Sequence, residues 1–388
     1  MNDGKKLHLG VAVPFDFSIY FTRDFLSSRN KIFRSIVSGA GKTVRHRMVF
    51  FIEEELANRF PDLCSRVRKH CALEPGLMDL VSDLVVVNGG EAVKNFKGIE
   101  KLCGIINANG LCRHSFVCII GGGALLDAVG FSASIVHRGI RQIRFPTTVL
   151  SQADSGVGVK NGINMFGKKN FIGTFAPPYA VVNDFSFLDT LSLRDWISGI
   201  SEAFKVAMIK DADFFRRMCS DVRDFKMRNP QKMEDMIFRC AQLHVEHIMN
   251  SGDPFEQGGA RPLDFGHWAA HKLETMSGGQ MRHGEAVAIG ILIDSFYASR
   301  KRLISAKVLE DLENALSGLG FNLFSDLLTR KSPDGGLEIL RGIEEFREHL
   351  GGELHITLPK GLGRKVEVGK IDEDIMVSAI RYLEKKYG

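Results

Sequence analysis

Short, uncharged apolar runs punctuate the first half of the chain. The runs at 48–52 (MVFFI), 84–87 (LVVV), 116–120 (FVCII) and 180–182 (AVV) are continuous, as expected of strands buried on both faces. Amphipathic stretches lie between them. This alternation predicts a parallel sheet with crossover helices, a Rossmann-like α/β nucleotide-binding domain over residues 1–188. Beyond Leu188 the strand signals fade, and helix-period segments take over at 192–219, 231–250, 267–276 and 284–301. Residues 189–388 are therefore expected to form an all-helical domain. Glycine, proline and polar clusters predict loops at 251–262, 276–280, 331–336 and 358–365.

Composition narrows the function class. A length of 388 residues suits two domains. Lys+Arg 51 against Asp+Glu 46 leaves a net charge of +5, spread along the chain, so nothing points to nucleic acid or to a membrane surface. A small anionic substrate is compatible with this balance. With 44% hydrophobic and 25% charged residues the composition is that of a soluble globular protein, and no uncharged apolar stretch reaches the roughly 18 residues of a membrane span. The seven cysteines are odd in number and include no CxxC pair, which argues against a disulfide framework or a Cys-type zinc site. The first residues lack the pattern of a secretory leader, and the expected compartment is the cytoplasm.

Three features carry chemistry. The run at 116–120 opens directly into Gly121, Gly122 and Gly123, followed by Asp127. Glycines at a strand-to-helix turn let the backbone approach a pyrophosphate at a helix N-terminus. Glu53, after the first buried run, is placed to accept ribose hydroxyls or to begin a helix. Second, residues 146–170 combine Thr147, Thr148, Asp154, Lys160, Lys168, Lys169 and Asn170 among glycines and amides, a lining suited to a phosphorylated polyol and also the composition of a polar surface loop. Third, His267 and His271 share a helix face and His283 opens the next segment, a pattern that suits a divalent metal. Glu202 lies inside an apolar helix with Lys205 three residues on, either as a further ligand or as a local ion pair.

Taken in order, GGGALLDAVGF, HRG, FPTTVLSQADSGVGVKNGIN, GKKNFIGTF, SEAFKVAMIKD, FGHWAAHKLE and RHGEAVAIG resemble the motif series of dehydroquinate synthase and related sugar phosphate cyclases, over about residues 48–365. The resemblance implies a nucleotide-binding domain followed by a helical one, with NAD and a divalent metal, zinc or cobalt, in the cleft between them. By motif matching it implies Glu202, His267 and His283 as metal ligands, with His271 contacting substrate. Glu53, Glu91, Lys94, Gly121, Gly122, Gly123, Asp127, Thr147 and Thr148 match cofactor-binding positions. Asp154, Lys160, Lys205, Lys169 and Asn170 match residues around the substrate hydroxyls and phosphate. Arg138 matches an arginine that reaches the neighbouring subunit's site, which implies a functional homodimer. The implied reaction is transient oxidation of a ring carbinol, phosphate elimination, reduction, ring opening and intramolecular aldol closure.

The chain also departs from the pattern. Glu246 stands where a lysine meets the substrate carboxylate of dehydroquinate synthases; Asp264 replaces an asparagine, and Arg261 is shifted by a one-residue shortening. Arg347 substitutes for a lysine, with Glu348 reversing the next charge. If Glu246 reads the substrate, a neutral-headed heptulose or hexose phosphate is expected over a keto acid phosphate. The alternatives are dehydroquinate synthase proper, a metal-dependent polyol dehydrogenase and a non-catalytic homologue.

Overall fold

A computed structural model describes residues 6–41, 45–250, 255, 262–349 and 353–388. The first half contains β1 (Ser18–Thr22), α1 (Ile32–Gly39), β2 (His46–Glu53), α2 (Glu54–Arg59), α3 (Leu63–Ala72), β3 (Met78–Leu80), β4 (Val85–Val87), α4 (Phe96–Ala108), β5 (Phe116–Gly121) and α5 (Gly123–Ile135). It continues with β6 (Arg141–Pro146), β7 (Lys160–Met165), β8 (Lys168–Phe175) and β9 (Ala180–Asp184). Then come the helices α6 (Leu193–Ser198), α7 (Ile200–Lys210), α8 (Ala212–Ser220), α9 (Val222–Lys226), α10 (Pro230–Asn250), α11 (His267–Met276), α12 (His283–Arg300), α13 (Ala306–Leu319) and α14 (Arg341–His349). The chain closes with β10 (Ile356–Pro359), β11 (Lys365–Val368) and α15 (Glu373–Tyr387).

The sheet is parallel, in the order β1-β9-β6-β5-β2-β3, with β4 also paired to β2. Its central strands are buried on both faces because both are covered: Phe50, Ile52, Cys118 and Ile120 face one apolar layer, and Val49, Phe51, Val117 and Ile119 face the other. From β2 the chain moves outward through β3 and β4, then returns to β5 on the other side of β2. A crevice opens at such a switch point beyond the carboxyl ends of the strands.

The helical half differs from the sequence expectation in two ways. The segment 192–219 is not one helix but α6, α7 and α8. Gly199 abuts the Leu150 backbone at the first break, and Asp211 caps α8 at the second by accepting the Phe214 N–H at 2.9 Å. This half is also not all-helical, since the 358–365 loop is the tip of the antiparallel β10–β11 hairpin. In the first half the polar stretch 146–170 is more structured than a loop. It makes a single π-helical turn at Ser151–Ser155 and then the β7–β8 hairpin.

Candidate active site

The strand-to-helix turn after β5 builds a narrow cradle. Glu53, at the end of β2, accepts the Gly122 N–H at 2.7 Å across the switch point. Burial raises its pKa, with the Gly122 bond opposing. A Cβ on Gly123 would stand 2.9 Å from Ser155 Oγ, and one on Gly121 would stand 2.7 Å from Leu125. Ser155 Oγ is itself buried with no hydrogen-bond partner among the described residues. An orphaned hydroxyl over a glycine turn at a helix N-terminus fits the phosphate oxygens of a dinucleotide. Thr147 N–H bonds the Gly121 carbonyl at 3.1 Å, and Thr148 and Ser151 exchange hydroxyl bonds at 2.8 Å, which fixes the opposite wall.

Beside the cradle, Lys94 is buried between Asp127 Oδ2 at 2.7 Å and Asn170 Oδ1 at 2.6 Å. Burial lowers its pKa, but Asp127 and Glu91 outweigh this and raise it. Glu91 lies 3.9 Å from both Lys94 and Lys169. Residues expected at the cofactor (Glu91, Lys94, Asp127) and at the substrate (Lys169, Asn170) thus form one polar network.

The helices bring the histidines together by close backbone packing. Gly266 adopts φ +77°, and a Cβ there would lie 2.5 Å from Ile291 N; a Cβ on Gly290 would lie 2.0 Å from the Gly266 carbonyl oxygen. Asp294 on α12 accepts the Gly266 N–H at 2.9 Å and the Trp268 indole N–H at 2.8 Å, pinning the start of α11. His267 on α11 and His283 on α12 then meet Glu202 of α7. Glu202 Oε1 lies 3.6 Å from His267 Nε2 and 3.1 Å from His283 Nε2. The three donor atoms lie within 4.8 Å of one another, as tetrahedral zinc-type ligation requires once small adjustments close the set.

Charges around this cluster alternate. Lys205 Nζ pairs with Glu202 Oε2, both fully buried. Burial pushes the Glu202 pKa up, but Lys205 and His283 outweigh it and hold it at about 2. Burial pushes His283 down, yet Glu274 and Glu202 hold it up at about 10. His267 falls well below its ordinary value, through burial first and Lys205 next, leaving a neutral imidazole suited to ligation. Asp154, in the π-helical turn, accepts from His244 Nδ1 at 2.7 Å and is held at about 2 by Lys205 and His244 against the effect of burial.

His271 lies on the same face, its ring 5.3 Å from that of His267 and 6.0 Å from that of His283. Asp264 contributes to the field at Lys205. Lys160 begins β7 on the exposed side. Arg138 is exposed in a turn where His137 (φ +52°) and Arg138 (φ +63°) both take left-handed conformations. Arg261 lies outside the described residues.

Two expected substrate readers are not at the cluster. Glu246 is exposed and lines an apolar groove with Phe15, Phe17 and Phe238. It stands two residues, about 200° of helix, from His244, which faces the cluster, so the helical turn aims it the other way. Arg347 pairs with Glu344 and opens onto a separate surface cavity of about 560 Å³ with Glu353 and His355. Conversely, Glu274 and His244 join the site without having been expected. Glu274 had a usable signal, lying seven residues after His267 and so on the same helix face. His244 had none, because its partner Asp154 is 90 residues away in sequence.

A glycine crevice at a parallel-sheet switch point and a largely buried Glu-His-His cluster, bridged by Asp154 and by the Lys169–Glu274 pair, define a two-part cleft. The chain belongs to the 3-dehydroquinate synthase family: the N-terminal family matches residues 84–198 and the C-terminal family residues 199–334. It is 31% identical over 345 residues to 2-epi-5-epi-valiolone synthase of Streptomyces glaucescens, covering 88% of this chain and 85% of that one. It is 35% identical over 304 residues to 3-dehydroquinate synthase of Dictyoglomus turgidum, covering 77% and 82%. In fold it resembles the 2-epi-5-epi-valiolone synthase of Streptomyces hygroscopicus subsp. jinggangensis, solved with NAD+ and Zn2+ bound (TM-score 0.85, 23% identity, 98% of this chain and 100% of that one). A 2-deoxy-scyllo-inosose synthase complexed with carbaglucose-6-phosphate, NAD+ and Co2+ is also similar (TM-score 0.74, 21% identity, 94% and 96%). Among the described residues no helix is long and apolar enough to cross a membrane.

Proposed function

We propose that the protein is a sugar phosphate cyclase, a phosphate-eliminating carbon–oxygen lyase that uses NAD and a divalent metal. The observation that carries this reading is that one turn, Ser151–Ser155, touches both parts: Ser155 Oγ overhangs Gly123, while Asp154 feels the charges of Lys205 and Glu202 of the Glu202, His267 and His283 donor set. When bound, NAD supplies a regenerated hydride acceptor and the metal supplies Lewis acidity. Gly121, Gly122, Gly123 and Ser155 would hold the cofactor phosphates, and Glu202, His267 and His283 the metal. Asp154, fixed by His244 and kept ionised by the opposite charge of Lys205, is the proton acceptor beside the substrate hydroxyls. Lys160, Lys169 and Asn170 bind the phosphate and polyol oxygens; His271 contacts substrate from the metal side. Residues 1–188 form the cofactor domain and 189–388 the metal and substrate domain.

The test is phosphate release by the purified chain with NAD and zinc or cobalt. A cyclase recycles its cofactor, so phosphate is expected with no net NADH. Net NADH from a polyol, without phosphate release, would instead make it a dehydrogenase, and no detectable NAD binding in a metal-loaded sample would point to a non-catalytic homologue. The second element of the proposal is a homodimer in which Arg138 reaches the partner's cleft, supported by its exposure and its strained turn. Sedimentation giving only the 43.1 kDa monomer at assay concentration would overturn it. The seven free thiols suit a reducing cytoplasm.

A further inference from the structure

We infer that Glu274 is the positioning residue that sets the His283 ring for metal binding, an inference that rests on the ligand set proposed above. His283 uses both ring nitrogens: Nε2 lies 3.1 Å from Glu202 Oε1, and Nδ1 lies 3.1 Å from Glu274 Oε2. An imidazole ligates with one nitrogen, and the partner of the other decides which nitrogen keeps the proton. A carboxylate at Nδ1 keeps the proton there, so Nε2, on the Glu202 side, is the nitrogen that would give up its proton and ligate a metal. It also raises the basicity of the ligating nitrogen.

Glu274 is only 5% exposed, and its second oxygen is taken: Lys169 Nζ lies 2.7 Å from Oε1. His271, Glu274 and His283 also bring donor atoms within 4.8 Å of one another, so Glu274 has a rival reading as ligand to a second ion. The ammonium group opposes that reading, because it already supplies the positive charge on this carboxylate. The contact spans the cleft as well, since Lys169 belongs to β8 while Glu274 and His283 belong to α11 and α12. The β7–β8 hairpin thereby holds the residue that holds the metal ligand.

The experiment titrates metal-free protein with Co2+ and follows the visible cobalt spectrum, ion stoichiometry and circular dichroism. Glu274→Ala is expected to stay folded, to bind one ion per chain as the wild type does, and to bind it about 10–100-fold more weakly with an altered spectrum. Unchanged affinity and spectrum in Glu274→Ala would overturn the inference. Two ions per wild-type chain falling to one in the variant would overturn it too, by making Glu274 a ligand. Should the alanine variant not fold, Glu274→Gln, of the same shape without the charge, decides in its place: weaker cobalt binding supports the role, and unchanged binding removes it. Failure of the ligand set itself looks different, because Glu202→Ala would then bind cobalt as tightly as the wild type.

Discussion

Lys205 lies one helical turn beyond Glu202 on α7, and its ammonium group meets Glu202 Oε2 where neither side chain is open to solvent. A charge pair buried this deeply contributes little net stability against apolar residues of equal volume, but removing one member strands the other. Lys205→Met is expected to destabilise the metal-free protein by about 3–5 kcal/mol, measured by denaturant unfolding. The sign of the pH dependence follows from Glu202. Its folded pKa of about 2 lies below the ordinary 4.5, so its stabilisation is complete above the unfolded value and fades as pH falls toward the folded one. In Lys205→Met that acid-side loss should shrink. An unfolding midpoint unchanged by the substitution would show that Glu202 is not stranded by the loss of Lys205.

Cofactor binding is predicted to fail independently of the metal. In Gly123→Ala the new methyl group would meet Ser155 Oγ at 2.9 Å and occupy the cradle. Calorimetric titration with NAD should show at least about tenfold weaker binding, about 1.4 kcal/mol or more, while zinc content stays at the wild-type level. Equal NAD affinity in the two proteins would place the dinucleotide elsewhere.

Asp294, which bonds the residues on either side of His267, gives a second pH effect. Burial pushes its carboxyl up to about 7, against the opposing bonds from Trp268 and Gly266. A raised acid favours the folded state while protonated, so this contribution is complete below the ordinary 3.8 and is lost as pH rises to about 7. The difference amounts to roughly 4 kcal/mol across that window at 1.36 kcal/mol per unit. Thermal midpoints of wild type minus Asp294→Asn should therefore fall from pH 4 to pH 7 and level off above it. A flat difference would mean that Asp294 is ionised throughout.

How much of this was legible in sequence depends on how local each interaction is. The runs that became β2, β5 and β9 were readable because a strand covered on both faces needs continuous apolar residues; the run at 84–87 does form β4, but not as a doubly buried strand, since it pairs only with β2 and leaves Val86 48% exposed. β6 was not, because Arg144 and Gln142 interrupt its run; both are buried and satisfied within the fold, Arg144 by the Gly156 and Gly158 carbonyls and by Asn161. The Glu202, His267 and His283 set was legible from residue type and from the motif series, but Glu246 was misplaced. An aligned position does not fix which face of a helix a side chain occupies, and α10 turns that residue toward the Phe15 and Phe238 groove. The Glu274 and His244 contacts depend on how α10, α11, α12 and the π-helical turn pack, which periodicity does not encode.

Charge in the cleft selects the substrate. Glu246 faces away, so it repels nothing in the cleft, but the position still supplies no cation there. Three lysines of the cleft are already matched by carboxylates: Lys94 by Asp127, Lys169 by Glu274 and Lys205 by Glu202. Lys272, the next residue after His271, turns to α14 and pairs with Glu345. A substrate bearing an acid group adds a negative charge that would need a cation of its own, and an uncompensated buried charge costs several kcal/mol. A ketose or aldose phosphate adds only hydroxyls, which the amides and carboxylates of the cleft can bond. Offered side by side with NAD and zinc, a heptulose phosphate or hexose phosphate should be turned over at least about tenfold more efficiently than the keto acid phosphate of 3-dehydroquinate synthases, a gap of about 1.4 kcal/mol in transition-state binding. Efficient phosphate release from the keto acid phosphate alone would show that the matched lysines exchange their carboxylates for substrate, and would return the chain to the dehydroquinate-forming branch.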